Sequence, residues 1–264
     1  MVSQYGSELQ YSERINKKGR IVYSLLGETY PGYLNRYFVN KRYLKKYTDS
    51  DTANICEIGS ANGAFSFWLS RNKKYKVVGM DCDRRLIYDC EHIRQKLNRG
   101  SLSFVCADAT AKFSRDCAFD IIIASHVLEH VVNDTALLAN AFNALKKGGI
   151  LLLQVPYGDP GKIPLRDSPD SGHVREGYTE PCLRKKLEDV GFQIVIIGGS
   201  IGKIGRFAYR FARKSAQVKF VFNLSIIVFP LTLMLIHLEQ IAAFFRRREL
   251  PFNQGPFVVA RRPL

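Results

Sequence analysis

Ile55-Cys56-Glu57-Ile58-Gly59-Ser60-Ala61-Asn62-Gly63 decides the fold: an apolar strand runs into an acid and then a loop of small residues, with a helix-like stretch behind it. Gly59 and Gly63 let the backbone turn sharply and approach a ligand with no Cβ in the way, and Ala61 is nearly as small. Two more acids stand at matching places. Asp81 closes the run Tyr75–Met80, and Asp108 closes Leu102–Ala107. Asp81 follows Glu57 by 24 residues, close to the offset of about 20 at which a second-strand carboxylate meets ribose hydroxyls. Three strands each ending in an acid predict a site for a nucleotide-type cofactor. The plainer alternative is an ordinary strand-to-helix turn with solvent-exposed acids.

The loop also narrows the class of ligand. A pyrophosphate would be repelled by an acid two residues before the first glycine, which is where Glu57 stands. A ligand with a cationic amino-acid moiety gains from that carboxylate. With this pattern, Glu57-Ile58-Gly59-Ser60-Ala61-Asn62-Gly63 resembles the first motif, E/D-x-G-x-G-x-G, of the class I S-adenosylmethionine-dependent methyltransferases, with Ala61 in place of the middle glycine.

The resemblance runs on in order over about residues 50–200, toward the small-molecule, type 11-like branch. Phe119–His130 is similar to the fourth strand and the signature behind it, Leu145–Pro156 to the glycine turn and fifth strand, and Gly191–Val195 to the sixth. It implies methyl transfer from a sulfonium to a nucleophile. Asp81 is then expected on the ribose and Asp108 near the adenine, and the cofactor contacts are Glu57, Gly59, Ala61, Gly63, Asp81, Cys82, Asp108, Ala109 and Ser125.

At 264 residues and 46% apolar, the chain can bury a full α/β core. Apolar runs of strand length alternate with amphipathic segments, which predicts a Rossmann-like, doubly wound, mostly parallel sheet of seven strands. The strands are expected near 54–59, 75–81, 102–108, 119–125, 149–156, 192–198 and 256–261, the last antiparallel beside the sixth. The expected organisation is an N-terminal helical cap over 1–50, a core over 51–199, a helical insertion over 200–254 and the last strand over 255–264. Six cysteines without C-x-x-C spacing read as buried free thiols of a reducing compartment rather than a disulfide scaffold. The N-terminus has neither a basic start nor an apolar run, so a cytosolic location is expected.

The net charge of +15 is unevenly placed. Residues 1–50 carry 9 Lys/Arg against 4 acids, residues 51–199 carry 19 against 18, and residues 200–264 carry 11 against 2. Residues Phe220–Leu238 carry no formal charge, only just enough length to cross a bilayer as a helix. A single crossing would strand the final strand on the wrong side, so 200–254 reads as an insertion broken at Pro230. Upstream, Lys203, Arg206, Arg210, Arg213 and Lys214 share a helical side next to Ile204, Phe207, Ala208 and Phe211. That pattern predicts an interfacial helix, with 200–248 held to an anionic membrane surface on the cytoplasmic face. The alternative is packing on the core or on a second subunit, as in a homodimer. Terminal basic extensions also suit nucleic acid, but the core has neither an N-P-P-Y-like motif nor a basic patch interleaved with aromatics.

Methyl transfer to a hydroxyl needs a base, and His126, just past the fourth strand, is expected as base or substrate contact, with a helix-capping role as the alternative. His126, Glu129 and His130 stand at i, i+3 and i+4, and in ubiquinone-type O-methyltransferases a similar stretch binds metal. Local packing is the preferred reading there, so no metal is expected. His173-Val174-Arg175-Glu176-Gly177-Tyr178-Thr179 resembles a stretch of bacterial members found in surface-glycan contexts. His173 is a second candidate base, and Arg175 and Tyr178 are candidate substrate contacts, against pairing of Arg175 with an acid and capping by Thr179. Tyrosines 30, 33, 37, 43 and 47 read as packing or as stacking partners of an acceptor ring. The expected activity is methylation of a small or lipid-linked acceptor, a glycan hydroxyl ahead of a quinone-like phenol, with a nucleic-acid methyltransferase or a non-catalytic binder as further alternatives.

Overall fold

A computed structural model describes residues 31–48, 52–111, 117–162, 172–200, 207, 238, 250–253 and 255–264, with side chains from residue 39 onward. In chain order the elements are α1 (Pro31–Tyr47), β1 (Ala53–Ile58), α2 (Ala64–Leu69), β2 (Tyr75–Asp81), α3 (Arg84–Lys96), β3 (Leu102–Cys106) and β4 (Phe119–Ser125). After a 3₁₀ turn at Leu128–His130 come α4 (Asp134–Ala144), β5 (Leu145–Gln154), α5 (Glu180–Val190), β6 (Gln193–Gly199) and β7 (Pro256–Arg261).

The seven strands form one sheet in the order β3-β2-β1-β4-β5-β7-β6. β1 pairs in parallel with β2 and β4, β2 with β3, and β4 with β5, whereas β7 runs antiparallel to β5. This is the Rossmann-like sheet expected, with the last strand beside the sixth. The central strands are apolar along their length because helices cover both faces. Ile55, Ile121, Ile122, Ile123, Leu151 and Leu152 are all fully buried, each worth about 1.5–3 kcal/mol of transfer free energy. In α3, Asp83 caps the first turn by accepting from the amides of Arg85 at 2.7 Å and Leu86 at 3.3 Å. Its apolar stripe, Ile87, Cys90 and Ile93, is buried at helical spacing.

Two expectations need correction. β5 begins at Leu145, not near 149, because Lys146-Lys147-Gly148-Gly149 is a bulged strand instead of a turn: the register shifts between Phe119 and Ile121, and Gly148 takes φ 76°. Of the six thiols, Cys56 and Cys90 are buried while Cys82, Cys106 and Cys117 are exposed. β3 is the edge strand, so only part of it faces the core.

The chain divides into two compact units, residues 1–39 with 198–255, and residues 40–197 with 256–264. Within the first, an antiparallel bridge joins Gly199 to Leu250, and the Ser200 amide donates to the Gly255 carbonyl at 2.7 Å. Apart from Phe207 and Leu238, the expected interfacial helix and the apolar run 220–238 lie outside the described residues, as do residues 1–30 of the expected cap. Among the described residues no helix is long and apolar enough to cross a membrane.

Candidate active site

The parallel strands deliver their carboxyl ends to one edge of the sheet, the place where open α/β sheets bind ligands. There the loop after β1 is built tightly. The amides of Gly59 and Ser60 both donate to the Met80 carbonyl, and Asp81 Oδ2 accepts from the Ala61 amide at 2.8 Å. Gly59 has φ 72°, and a Cβ there would come within 2.3 Å of Val127 Cγ2. Gly63 has φ 73°, and its Cβ would meet the Phe104 ring at 2.8 Å. Ala61 adopts φ 47° with a side chain in place, a conformation that costs an L-residue about 1–2 kcal/mol.

Three carboxylates therefore stand at the ends of three adjacent strands. Glu57 is buried, and its carboxylate accepts from Ser66 Oγ. Burial lifts its carboxyl to about 8, against the Ser66 hydrogen bonds that pull the other way. Asp81 also accepts from the Asp83 amide at 2.9 Å, so each of its oxygens keeps a lone pair for a ligand. Asp108 lies two residues past β3, and Thr110 holds it below the usual carboxylate range with amide and hydroxyl bonds at 2.8 Å. Among the described residues none of the three acids is ion-paired. A buried acid held neutral, a half-exposed diol acceptor and a close-packed glycine loop fit a nucleoside bearing a cationic amino-acid arm. Cys82 and Ala109 adjoin Asp81 and Asp108, and the Ala109 carbonyl accepts from Asn140 Nδ2 at 3.1 Å.

At the end of β4 a second group of polar side chains gathers. Ser125 Oγ accepts from Asn40 Nδ2 at 3.2 Å, and Ser125 lies level with Gln154 of β5. Asn40 Oδ1 and both amide atoms of Gln154 are buried without a hydrogen-bond partner. Tyr43 stacks on Phe257, next to Gln154 in β7, with ring centroids 4.7 Å apart. Tyr43 is thus a packing residue.

His126 takes φ 57°, anchored by its amide to the Gln154 carbonyl at 2.8 Å. Its Nδ1 lies 3.0 Å from Glu129 Oε1, and Glu129 is fully buried. Burial alone would raise the Glu129 carboxyl, but the His126 bond together with the charges of His126 and His130 outweighs it and holds it low. Residues Leu128–His130 form only a three-residue 3₁₀ turn, and Asn133 caps α4 through the Ala136 amide at 3.1 Å. His126 therefore neither caps a helix nor shares a face with Glu129 and His130 as metal ligands.

The loop after β5 departs further from expectation. His173 packs edge-on to His130, with centroids 4.5 Å apart. Arg175, expected to hold substrate, pairs with the buried Asp134, donates to the Val131 and Val132 carbonyls at 2.8 and 2.9 Å, and donates to Tyr178 Oη at 3.2 Å. Tyr178 is fully buried and donates to Asp134 at 2.7 Å and to the Leu128 carbonyl. Both residues brace the loop against α4 through these polar partners, the alternative the sequence offered for Arg175. Thr179 occupies the N-cap of α5 without a side-chain bond. Sequence reasoning missed Ser66, Asn40 and Asp134, whose partners lie on other elements, and Gln154, whose buried amide has no hydrogen-bond partner.

The methyltransferase-domain family matches residues 31–196. A wheat (Triticum aestivum) phosphoethanolamine N-methyltransferase 1 is 25% identical over 172 residues, 62% of this chain and 34% of that protein, so the match spans about a third of the relative's length. Among solved structures, Haemonchus contortus phosphoethanolamine N-methyltransferase 2, in complex with phosphomonomethylethanolamine and S-adenosylhomocysteine, aligns at TM-score 0.62 and 15% identity, over 99% of this chain and 60% of that one. The [4+2]-cyclase SpnF aligns at 0.59 and 16%, over 86% and 82%. An S-adenosylmethionine-dependent methyltransferase from Aquifex aeolicus aligns at 0.50 and 17%, over 62% and 85%. With the glycine loop and acid cluster in place, the chain belongs to the methyltransferase-domain family.

Proposed function

We propose that this methyltransferase alkylates a hydroxyl group of a small or lipid-linked acceptor, a glycan hydroxyl first, with His126 as general base. The observation that carries this reading is the His126–Glu129 pair at the end of β4. Glu129 accepts from Nδ1–H, which leaves the basic lone pair on Nε2. Bound S-adenosylmethionine supplies a methyl carbon on a positively charged sulfur. His126 Nε2 would take the acceptor's proton as the acceptor oxygen bonds to that carbon and the carbon–sulfur bond breaks, leaving a neutral thioether, and the buried Glu129 would stabilise the imidazolium. Asp81 would hold the ribose and Glu57 would receive the amino group, so the reacting carbon would be fixed at the same carboxyl edge of the sheet as His126.

The neutral lining supports a hydroxyl-bearing acceptor. Asn40 and Gln154 offer buried amide atoms without partners, suited to hydroxyls, and Arg175 is already committed to Asp134. The wheat relative's name favours a second reading, a phosphorylated amine, and a quinone-like phenol is a third. For a lipid-linked acceptor, the basic and apolar segment 200–248 would dock on an anionic membrane face.

The test is labelled methyl transfer from S-adenosylmethionine to polyol and glycan hydroxyls, quinol-type phenols and phosphoethanolamine, with product mapping and a His126→Gln control. Methylation at oxygen, lost in His126→Gln, is expected. Methylation of phosphoethanolamine nitrogen with no transfer to any hydroxyl would overturn the assignment.

A further inference from the structure

Glu129 has two carboxylate oxygens with different surroundings. Oε1 faces His126, while Oε2 is buried and has no hydrogen-bond partner. An anionic oxygen left so in a protein interior costs about 1–3 kcal/mol or more unless a ligand meets it. Beside it stand the imidazoles of His130 and His173, and one ligand atom from each of Glu129, His130 and His173 lies within 4.8 Å of the others. The three side chains come from two segments more than forty residues apart, one with Glu129 and His130 and the other with His173. The Val174 amide donates to the Glu129 carbonyl at 2.9 Å, fixing the His173 loop against the 3₁₀ turn, and a Cβ on Gly172 would lie 3.6 Å from His130 Nδ1.

We propose that Glu129, His130 and His173 form a binding site for one divalent transition-metal ion of the zinc class. Two imidazoles and one carboxylate suit such an ion, whereas magnesium and calcium favour all-oxygen shells. Around an ion at roughly 2.0–2.2 Å, tetrahedral ligand atoms stand about 3.4 Å apart, so side-chain rotations of an ångström close the set. Glu129 is fully buried, His173 half-buried and His130 exposed, which gives an ion an entry path. Three protein ligands leave a fourth position for water or an oxygen of the acceptor. The ion ties the loop after β5 to the turn after β4 and fixes the carboxylate that orients His126. This site stands whether or not His126 is the base.

The test uses the full chain, stripped with chelator and titrated with zinc and, separately, with cobalt(II), whose visible absorption reports coordination geometry. His130→Ala, His173→Ala and His126→Gln are titrated alongside, and S-adenosylmethionine binding by each serves as the control for folding. One ion per chain is expected, with a low-symmetry cobalt spectrum, binding weakened at least about ten-fold in each of the first two variants and retained in His126→Gln. No binding by wild type that still binds the cofactor would overturn the proposal. So would binding that survives both His130→Ala and His173→Ala, which would mark an adventitious surface ion, or binding lost in His126→Gln alone.

Discussion

Glu57 and Asp134 are both buried carboxylates in the same sheet-and-helix core, and they are opposite in what surrounds them. Asp134 receives Arg175, Lys186 and Tyr178, and these partners outweigh burial and hold its carboxyl low. Glu57 has a serine hydroxyl and no cation among the described residues, and burial holds it neutral near pH 7. A buried acid saturated by the protein's own cations is finished as structure. One that lacks a cation is a place prepared for a cationic ligand.

The largest effect expected is at the acceptor side. His126→Gln should lower kcat by about 10²–10⁴ while leaving cofactor affinity unchanged, because the ring acts on the acceptor's proton alone. Steady-state kinetics with calorimetry of cofactor binding separates the two. Next, Asp134→Ala should destabilise the fold by about 3 kcal/mol, since it leaves Arg175 and Lys186 without their shared partner. Denaturant unfolding reads this, and the residual folded protein should bind cofactor normally. A loss of affinity greater than the loss of folded protein would break the contrast between the two acids.

Glu57 carries the pH signature. Its carboxyl is raised from 4.5 to about 8, so between those values the folded chain holds a proton that the unfolded chain has lost. Its contribution to stability therefore falls as pH rises through that window, and Glu57→Gln should flatten the slope. A cationic amino group beside Glu57 favours its ionised form. Cofactor binding at pH 7 should release up to one proton and tighten by at most about ten-fold per pH unit, levelling above pH 8. Calorimetry in buffers of different ionisation enthalpy measures the proton, and Glu57→Gln should abolish its release. The smallest effect belongs to an exposed pair: Glu180→Ala removes the 3.0 Å contact with Arg184 and should change stability by less than about 0.5 kcal/mol.

What the sequence disclosed follows the same contrast. The glycine loop and its acids were legible because their signals are local: a strand period, two glycines and an acid within a few residues, with further acids after β2 and β3. The loop after β5 was not, because it is held by pairings such as Arg175 with Asp134, 41 positions apart. A charged residue in a polar loop looks the same whether it awaits a substrate or already holds an aspartate. His126 was visible as a histidine after a strand, but nothing in the chain foretells its left-handed backbone or the buried Glu129 on its ring. The start of β5 was misread because two adjacent glycines signal a turn in most contexts and here form a bulge.

The central claim is that the acids at the ends of β1, β2 and β3, none of them ion-paired among the described residues, hold the cofactor. Calorimetric titration of the full chain with S-adenosylmethionine and S-adenosylhomocysteine, repeated on Asp81→Ala, tests it most directly. The account predicts micromolar binding to wild type, weakened about 10- to 100-fold when the diol acceptor is removed, since a charge-assisted hydrogen bond is worth about 1.5–3 kcal/mol. Equal affinity in Asp81→Ala, or no binding by a folded wild type, would contradict it.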